Sequence, residues 1–318
     1  MEIIRLGCPG SCSPAPAPLP PAVLCLGNFD GVHTGHAALL NEALKIKRRL
    51  AAQYNDIVAG VLTFSPSPNE VLLASPPPRI TDLKEKAGLI AEAGMDRLYI
   101  VDFEYVRDMT PGRFISEILK VRCGCVHAVC GFNFRFGIGG YGGPDTLDRE
   151  FCGNVSVLGP VMYSGVAVSS TGIRHAVLAG EMEAAAAMLG RPYSLTAPVV
   201  RGSSVGGRLG FPTANQKFPP GKLIPKIGVY ISACVVDGVR RPAVTDIGVR
   251  PTFCGQDELR CETHIIGYDA ELYGRTIKTE FYKYLRPEYR FESPDELAAA
   301  VRADIESALE YFEKANIF

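Results

Sequence analysis

The stretch GNFDGVHTGH, Gly27–His36, concentrates residues that can do chemistry. His33 and His36 stand three apart where a helix is predicted to begin, a spacing that turns both imidazoles to one side. The first turn of a helix carries N–H groups without intrahelical partners and favours anions. Gly27, Gly31 and Gly35 let the backbone come close to a ligand, and Phe29 and Asp30 complete the turn. Together they describe a phosphate site made of imidazoles and amides rather than of a Walker lysine, and hence nucleotide handling. A metal held by the histidine pair is the competing reading, for which HxGH offers no third ligand nearby.

A second stretch is RGSSVGGRLGFPTANQ, Arg201–Gln216. Gly206, Gly207 and Gly210 can wrap a phosphate with backbone N–H groups, and Arg208 adds charge. Thr213 and Asn215 supply hard oxygens of the kind Mg²⁺ takes alongside phosphate. Read alone, the same residues also describe a Gly-rich surface loop. Further on, Glu262 alternates with Thr263 and His264 in a strand-like run, which alone describes an outward-facing carboxylate. His264 reads as structural.

The elements that must position these groups fall into two textures. Ala22–Leu26, Ile57–Phe64, Arg97–Val101, Val126–Val129 and Val155–Leu158 read as strands. They alternate with helices over the segment after Gly35, over Thr81–Ala93 and over Pro111–Lys120. That alternation predicts an α/β half with a parallel sheet. An Ala-rich helical stretch, Ile173–Leu189, leads to the linker-like Gly190-Arg191-Pro192. Strands then dominate: Gly228–Val236 runs into the hairpin signal Asp237-Gly238, followed by Cys261–Tyr268 and Thr276–Tyr284. Ser293-Pro294-Asp295-Glu296 opens a final helix whose expected buried stripe is Leu297, Val301, Ile305, Leu309 and Phe312. The second half is a compact, barrel-like β domain with a C-terminal helix. The boundary is placed so that residues 1–189 form one domain and 190–318 the other.

Composition narrows the function classes. The 318 residues carry 33 Lys+Arg against 34 Asp+Glu, a net charge of −1, which argues against a broad nucleic-acid surface while allowing small basic pockets. Charged residues at 21% and hydrophobic ones at 47% describe an ordinary globular chain. No run of about 18 apolar residues is present to span a membrane. The ten cysteines contain no C-x-x-C pair and read as buried free thiols. Met1–Gly10 lacks a cationic start followed by an apolar stretch, so a cytoplasmic protein is expected. The Pro-rich Cys8–Pro21 has no assigned role, and the sequence is silent on oligomeric state.

The first motif resembles the start of the nucleotidylyltransferase superfamily, most closely its FAD synthetase branch. VCGFNFRFG, Val129–Gly137, is similar to a second motif of that branch at Gly131, Asn133, Phe134, Phe136 and Gly137. SSTGIR, Ser169–Arg174, is similar to a third. The resemblance implies attack of the FMN phosphate on the α-phosphorus of ATP, giving FAD and pyrophosphate. It also implies that His33 and His36 stabilise the triphosphate, that Arg174 reaches the leaving group, and that Asn133, Ser170 and Thr171 hold the nucleotide. This sequence departs from the family at Thr63–Pro68 (TFSPSP), where Ser65 and Ser67 replace an acidic group and an imidazole. It departs again at Phe132 and Gly172.

GFPTAN, with DIGVRPTF (Asp246–Phe253) and ETHIIGYDAELYG (Glu262–Gly274), resembles the riboflavin kinase family. That resemblance implies that Glu262 accepts the proton of the riboflavin 5′-hydroxyl while Thr213 and Asn215 hold Mg²⁺ and ATP. Tyr268, Tyr273 and Arg286 become candidates for lining the flavin site. In this order the two resemblances cover nearly the whole chain and match bacterial bifunctional riboflavin kinase/FMN adenylyltransferases. They imply a Rossmann-like first domain, a six-stranded barrel in the second, and riboflavin, FMN and ATP as small-molecule partners. Two other readings stay open: a riboflavin kinase with a degenerate nucleotide-binding first domain, and a flavin-binding regulator without turnover.

Overall fold

The computed structural model describes residues 1–7, 19–202, 210–251 and 257–318. Its internal contacts divide the chain into two compact units, Met1–Ser170 and Thr171–Phe318. The sequence boundary at Gly190 falls later, where Gly190 in the left-handed conformation ends a helix.

In the first unit, β1 (Glu2–Leu6), β2 (Ala22–Leu26), β3 (Val58–Phe64), β4 (Arg97–Val101), β5 (Cys125–Gly131) and β6 (Val155–Leu158) form one parallel sheet. Their order is β1-β4-β3-β2-β5-β6. β2 is apolar throughout because helices cover both faces of the sheet. Leu24 and Leu26 join one core with Tyr99, Phe114 and Ile118; Val23 and Cys25 join the other with Leu39, Leu40 and Ile90. The helices are α1 (Thr34–Leu50), α2 (Pro68–Leu72), α3 (Leu83–Glu92), α4 (Phe103–Val106), α5 (Pro111–Arg113) and α6 (Pro144–Glu150). After α5 the chain continues as a π-helical segment, Phe114–Arg122, whose wider turn buries Phe114, Ile115, Ile118 and Leu119. Strand β1 escapes the sequence reading because it lies at a sheet edge, with Ile3 exposed. A small hairpin, β7 (Met162–Tyr163) with β8 (Val166–Ala167), was also unforeseen.

The helical stretch before Gly190 is two helices, α7 (Ser170–Ala179) and α8 (Met182–Leu189), parted at Gly180, whose φ is +83°. In the second unit β9 (Tyr193–Val200), β10 (Ala214–Gln216), β11 (Gly228–Val236), β12 (Val239–Pro251), β13 (Asp257–Ile265) and β14 (Thr276–Arg286) close into a barrel ordered β10-β13-β12-β11-β14-β9. Closure leaves no free sheet edge. Asp237 and Gly238, at φ +52° and +77°, make the tight β11–β12 turn. Buried side chains form polar chains across the strands. Ser232, Thr245 and Thr263 join hydroxyl to hydroxyl at 2.7 and 2.9 Å, and Thr279 donates to Gln216 Oε1 at 2.7 Å. Helix α9 (Pro294–Ala315), capped by Ser293, packs Ala308 and Phe312 against Val229, Ile231 and Val244. Its buried face includes Asp304, and Leu309 is exposed, contrary to the expected stripe. A strict i+4 stripe drifts around a helix of 3.6 residues per turn, so Ala308 rather than Leu309 faces the barrel, and Asp304 is held there by Arg286 in an ion pair at 2.8 Å.

Of the cysteines, Cys25, Cys123, Cys125, Cys130, Cys234 and Cys261 are buried free thiols as expected, whereas Cys152 is exposed. Cys8, Cys12 and Cys254 lie outside the described residues, as does most of the Cys8–Pro21 segment.

Candidate active sites

His33 is the N-cap of α1, and the two imidazoles cap the helix reciprocally. The His36 N–H donates to His33 Nδ1 and the His33 N–H to His36 Nδ1, each at 3.3 Å. The rings stack at 3.6 Å. A ring nitrogen that accepts from a backbone N–H bears no proton, so each ring is neutral and holds its proton on Nε2. Burial, reinforced by His33 and Lys86, pushes the His36 imidazole well below its usual range. The pair thus offers uncharged N–H donors. Phe29, fully buried, packs against His36 at 4.9 Å. Gly27 and Gly35 sit close to neighbouring rings: a Cβ would come to 3.1 Å from the Phe29 and His33 rings respectively, so either ring would have to give.

The loop before α1 is strained, with φ at +52° for Phe29, +83° for Gly31 and +39° for Val32. Contacts from behind hold it. Buried Asp30 accepts from the Ile80 and Thr81 N–H groups, both at 3.1 Å, and from the Thr81 hydroxyl at 3.3 Å. The Gly31 N–H donates to Thr81 Oγ1 at 3.0 Å, and Ser170 Oγ donates to the Asp30 carbonyl at 2.9 Å. In front lies a cavity of about 410 Å³ lined by Gly27, His33, Gly35, His36, Asn133 and Ser170 among others. It sits at the carboxyl ends of β2, β3, β5 and β6, where the strand order reverses, the usual ligand crevice of such sheets. Neutral imidazole donors together with Arg135 around a cavity of this size suit a polyphosphate whose charge is spread over many oxygens.

In the barrel, strand register builds the second constellation. Asn215 pairs with Glu262 across β10–β13, and Glu262 pairs with Asp246 across β12–β13. Directly opposed residues share a face, so amide and carboxylates form one row. The Asn215 amide nitrogen donates to Thr213 Oγ1 at 3.3 Å and to its carbonyl at 3.4 Å. Asn215 is 4% exposed, and its Oδ1 has no hydrogen-bond partner among the described residues. That orphaned oxygen beside the Thr213 hydroxyl fits a hard cation. The Asp246 carboxyl is pushed up to about 7, first by burial and then by Glu288 and Glu262. A cavity of about 150 Å³ gathers Thr213, Tyr268 and Tyr273.

Residues 16–172 match the family model of FAD synthetase, and residues 189–312 that of riboflavin kinase. The chain is 33% identical to the bifunctional riboflavin kinase/FMN adenylyltransferase of Listeria monocytogenes, over 92% of this chain and 93% of that protein. It is 34% identical to the Escherichia coli (strain K12) protein of the same name, over 98% of each. The chain belongs to the bifunctional riboflavin kinase/FMN adenylyltransferase family. A crystal structure described as a macrolide-efflux protein from Streptococcus pneumoniae matches with a TM-score of 0.84 and 28% identity, covering 97% of this chain and 99% of that one. Among the described residues here, no helix is long and apolar enough to cross a membrane.

The family's motifs therefore meet in space, with some redistribution of roles. Gly27, His33, Gly35, His36, Asn133 and Ser170 share one cavity wall. The side chains of Phe29 and Asp30 work behind that wall. Thr171 and Arg174 follow on α7, in the second unit. Ser67, where the family pattern expects an imidazole, is the N-cap of α2 and accepts from the Glu70 N–H. Arg286 is engaged by Asp304 and stacks on Tyr289 at 4.6 Å, and Arg241 lies 5.0 Å over the Tyr268 ring. His264 accordingly bonds the Pro212 carbonyl at 2.9 Å. Gly206, Gly207 and Arg208 lie outside the described residues; Gly210 has φ +84°. Two functional candidates escaped the sequence reading. Asp246 was visible only as the first residue of DIGVRPTF, and Lys86 only as a cation one turn from Ile90 on an apolar helix face.

Proposed function

We propose that the barrel unit phosphorylates riboflavin with ATP and that the N-terminal unit adenylylates the resulting FMN. The adenylyltransferase domain is assigned to residues 1–189 and the kinase domain to residues 190–318, a division supported by family matches at residues 16–172 and 189–312. The observation that carries the reading is the pair of preformed sites: neutral imidazole donors around a cavity at the carboxyl ends of the sheet strands, and a carboxylate in register with the buried Asn215 beside Thr213.

In the kinase domain, Glu262 accepts the proton of the riboflavin 5′-hydroxyl as its oxygen attacks the γ-phosphorus of ATP, and ADP leaves. Asn215 Oδ1 and Thr213 Oγ1 would hold Mg²⁺, which neutralises phosphate charge when bound. Tyr268 and Tyr273 line the flavin side, and Arg286, held by Asp304, lies beside Asp246. In the adenylyltransferase domain an FMN phosphate oxygen attacks the α-phosphorus of ATP, the bond to the bridging oxygen breaks, and pyrophosphate departs. His33 and His36 donate Nε2–H bonds to the triphosphate, with Asn133, Ser170 and Thr171 holding the nucleotide and Arg174 serving the leaving group. Buried reduced thiols support a cytoplasmic setting.

Purified protein given riboflavin, Mg²⁺ and ATP should produce FMN and then FAD with pyrophosphate. FMN formation without FAD or pyrophosphate, even from added FMN, would instead leave a kinase with a degenerate first domain.

A further inference from the structure

Helix α3 buries a lysine. Lys86 is 6% exposed and shares the inward face of α3 with Ile90. Its Nζ donates to the Asn28 carbonyl at 2.8 Å and to Thr63 Oγ1 at 3.3 Å, and Thr63 Oγ1 donates to the same carbonyl at 2.8 Å. Asn28 belongs to the cavity wall, next to the strained Phe29. Because a trans peptide is planar, turning the Asn28 carbonyl toward α3 turns the Phe29 N–H the opposite way. The same segment of chain is gripped in return, since Asp30 of the loop holds the N–H groups of Ile80 and Thr81 just before α3. A neutral donor could satisfy one carbonyl, and an apolar side chain would fill the helix face without the cost of burying a charge. The charge is kept behind a cavity that faces polyphosphate.

We propose that Lys86 is a positioning residue for adenylyl transfer: its ammonium sets the backbone of Gly27–His36 and lends the nucleotide cavity positive charge from behind. This rests on the adenylyltransferase reading of the first unit. The groups that act on the ammonium are Asp30 in the loop and Glu70 on α2, which favour it, and Arg79, which opposes it. His36 on α1 is neutral, and Asp82 and Glu85 on α3 are engaged in capping that helix. Burial outweighs the two carboxylates and lowers Lys86 to about 8.

Function and fold then respond to pH with opposite sign. The ammonium is present below pH 8 and lost above it, so FAD formation falls as pH rises through that value. An unfolded lysine titrates near 10.4, so between about pH 8 and 10 the unfolded chain binds more protons and the folded unit gains stability from this group. The test uses the full chain and its Lys86→Met variant. Assays measure FAD formation from FMN and ATP between pH 6.5 and 9.5, riboflavin phosphorylation as the count of working protein, and thermal unfolding. The expected result is a kcat/KM for ATP about ten- to a hundredfold lower in the variant, no decline near pH 8, and a melting temperature equal or higher. A Lys86→Met rate within twofold of the parent overturns the proposal, as does a loss of rate matched by a lower melting temperature. Should the variant not fold, the parent decides: a flat profile through pH 8 overturns it. Parent protein that makes FMN but no FAD sinks the adenylyltransferase reading, and this inference with it.

Discussion

The two units handle phosphate with different building methods. In the sheet unit one contiguous loop carries both candidate imidazoles, and its strained backbone is held from behind by Asp30, Thr81, Lys86 and Ser170. In the barrel, Asn215, Glu262 and Asp246 come from three strands and meet because hydrogen-bond register aligns them, with Thr213 just before β10. The first site depends on what lies beneath it, the second on strand alignment. A single substitution should therefore damage each by a different route.

The largest expected effect separates the two sites outright. Glu262→Gln should lower riboflavin phosphorylation by about 10²-fold or more while leaving FMN-to-FAD conversion intact, measured by chromatography of flavins from each substrate. Loss of both activities would refute independent sites. His36→Ala is the mirror experiment, with FAD formation down about 10²-fold and riboflavin phosphorylation retained. Since the His36 ring stays neutral, the FAD-forming rate should show no change attributable to the His36 imidazole near pH 6.5.

Asp246 sharpens the contrast through pH. Its folded value of about 7 lies above the unfolded 3.8, so the folded barrel binds the extra proton. The penalty for ionising it is absent below about pH 4, grows toward pH 7 and is complete above. Asp246→Asn should accordingly raise the melting temperature of the barrel more at pH 8 than at pH 5; equal shifts would remove Asp246 from the account. Asp30→Ala probes the support beneath the first site and should destabilise the first unit by about 2–3 kcal/mol in chemical unfolding, because buried N–H groups of Ile80 and Thr81 lose their acceptor. The smallest effect is Ser293→Ala, about 1 kcal/mol from a lost helix cap, with both activities preserved.

The sequence is legible where chemistry is contiguous. Gly27–His36 announces its strand–turn–helix context, and the alternation of apolar runs with amphipathic helices predicts the parallel sheet. Asp237-Gly238 likewise marks the barrel hairpin. What sequence hides is whatever depends on distant pairing. Asp246 gains meaning only when β12 lies beside β13, and Lys86 only when α3 passes behind the loop. Phe29 and Asp30 illustrate the limit within a motif: their presence is readable, but their direction, away from the cavity, is set by packing against His36 and Thr81. Leu309 shows the same limit on a helix, whose buried face includes Asp304, paired with Arg286, and Ala308 instead.

The two-residue turn at Asp237-Gly238 governs how this barrel can tolerate change in length. From the Val236–Val239 pair, β11 and β12 count in step to Val229 opposite Asp246. One residue inserted into the β12 arm would carry Asp246 through the sheet to its other surface, while Glu262 stayed in place. The turn is a ruler for a row of side chains far from it. Insertions and fusions are best placed elsewhere.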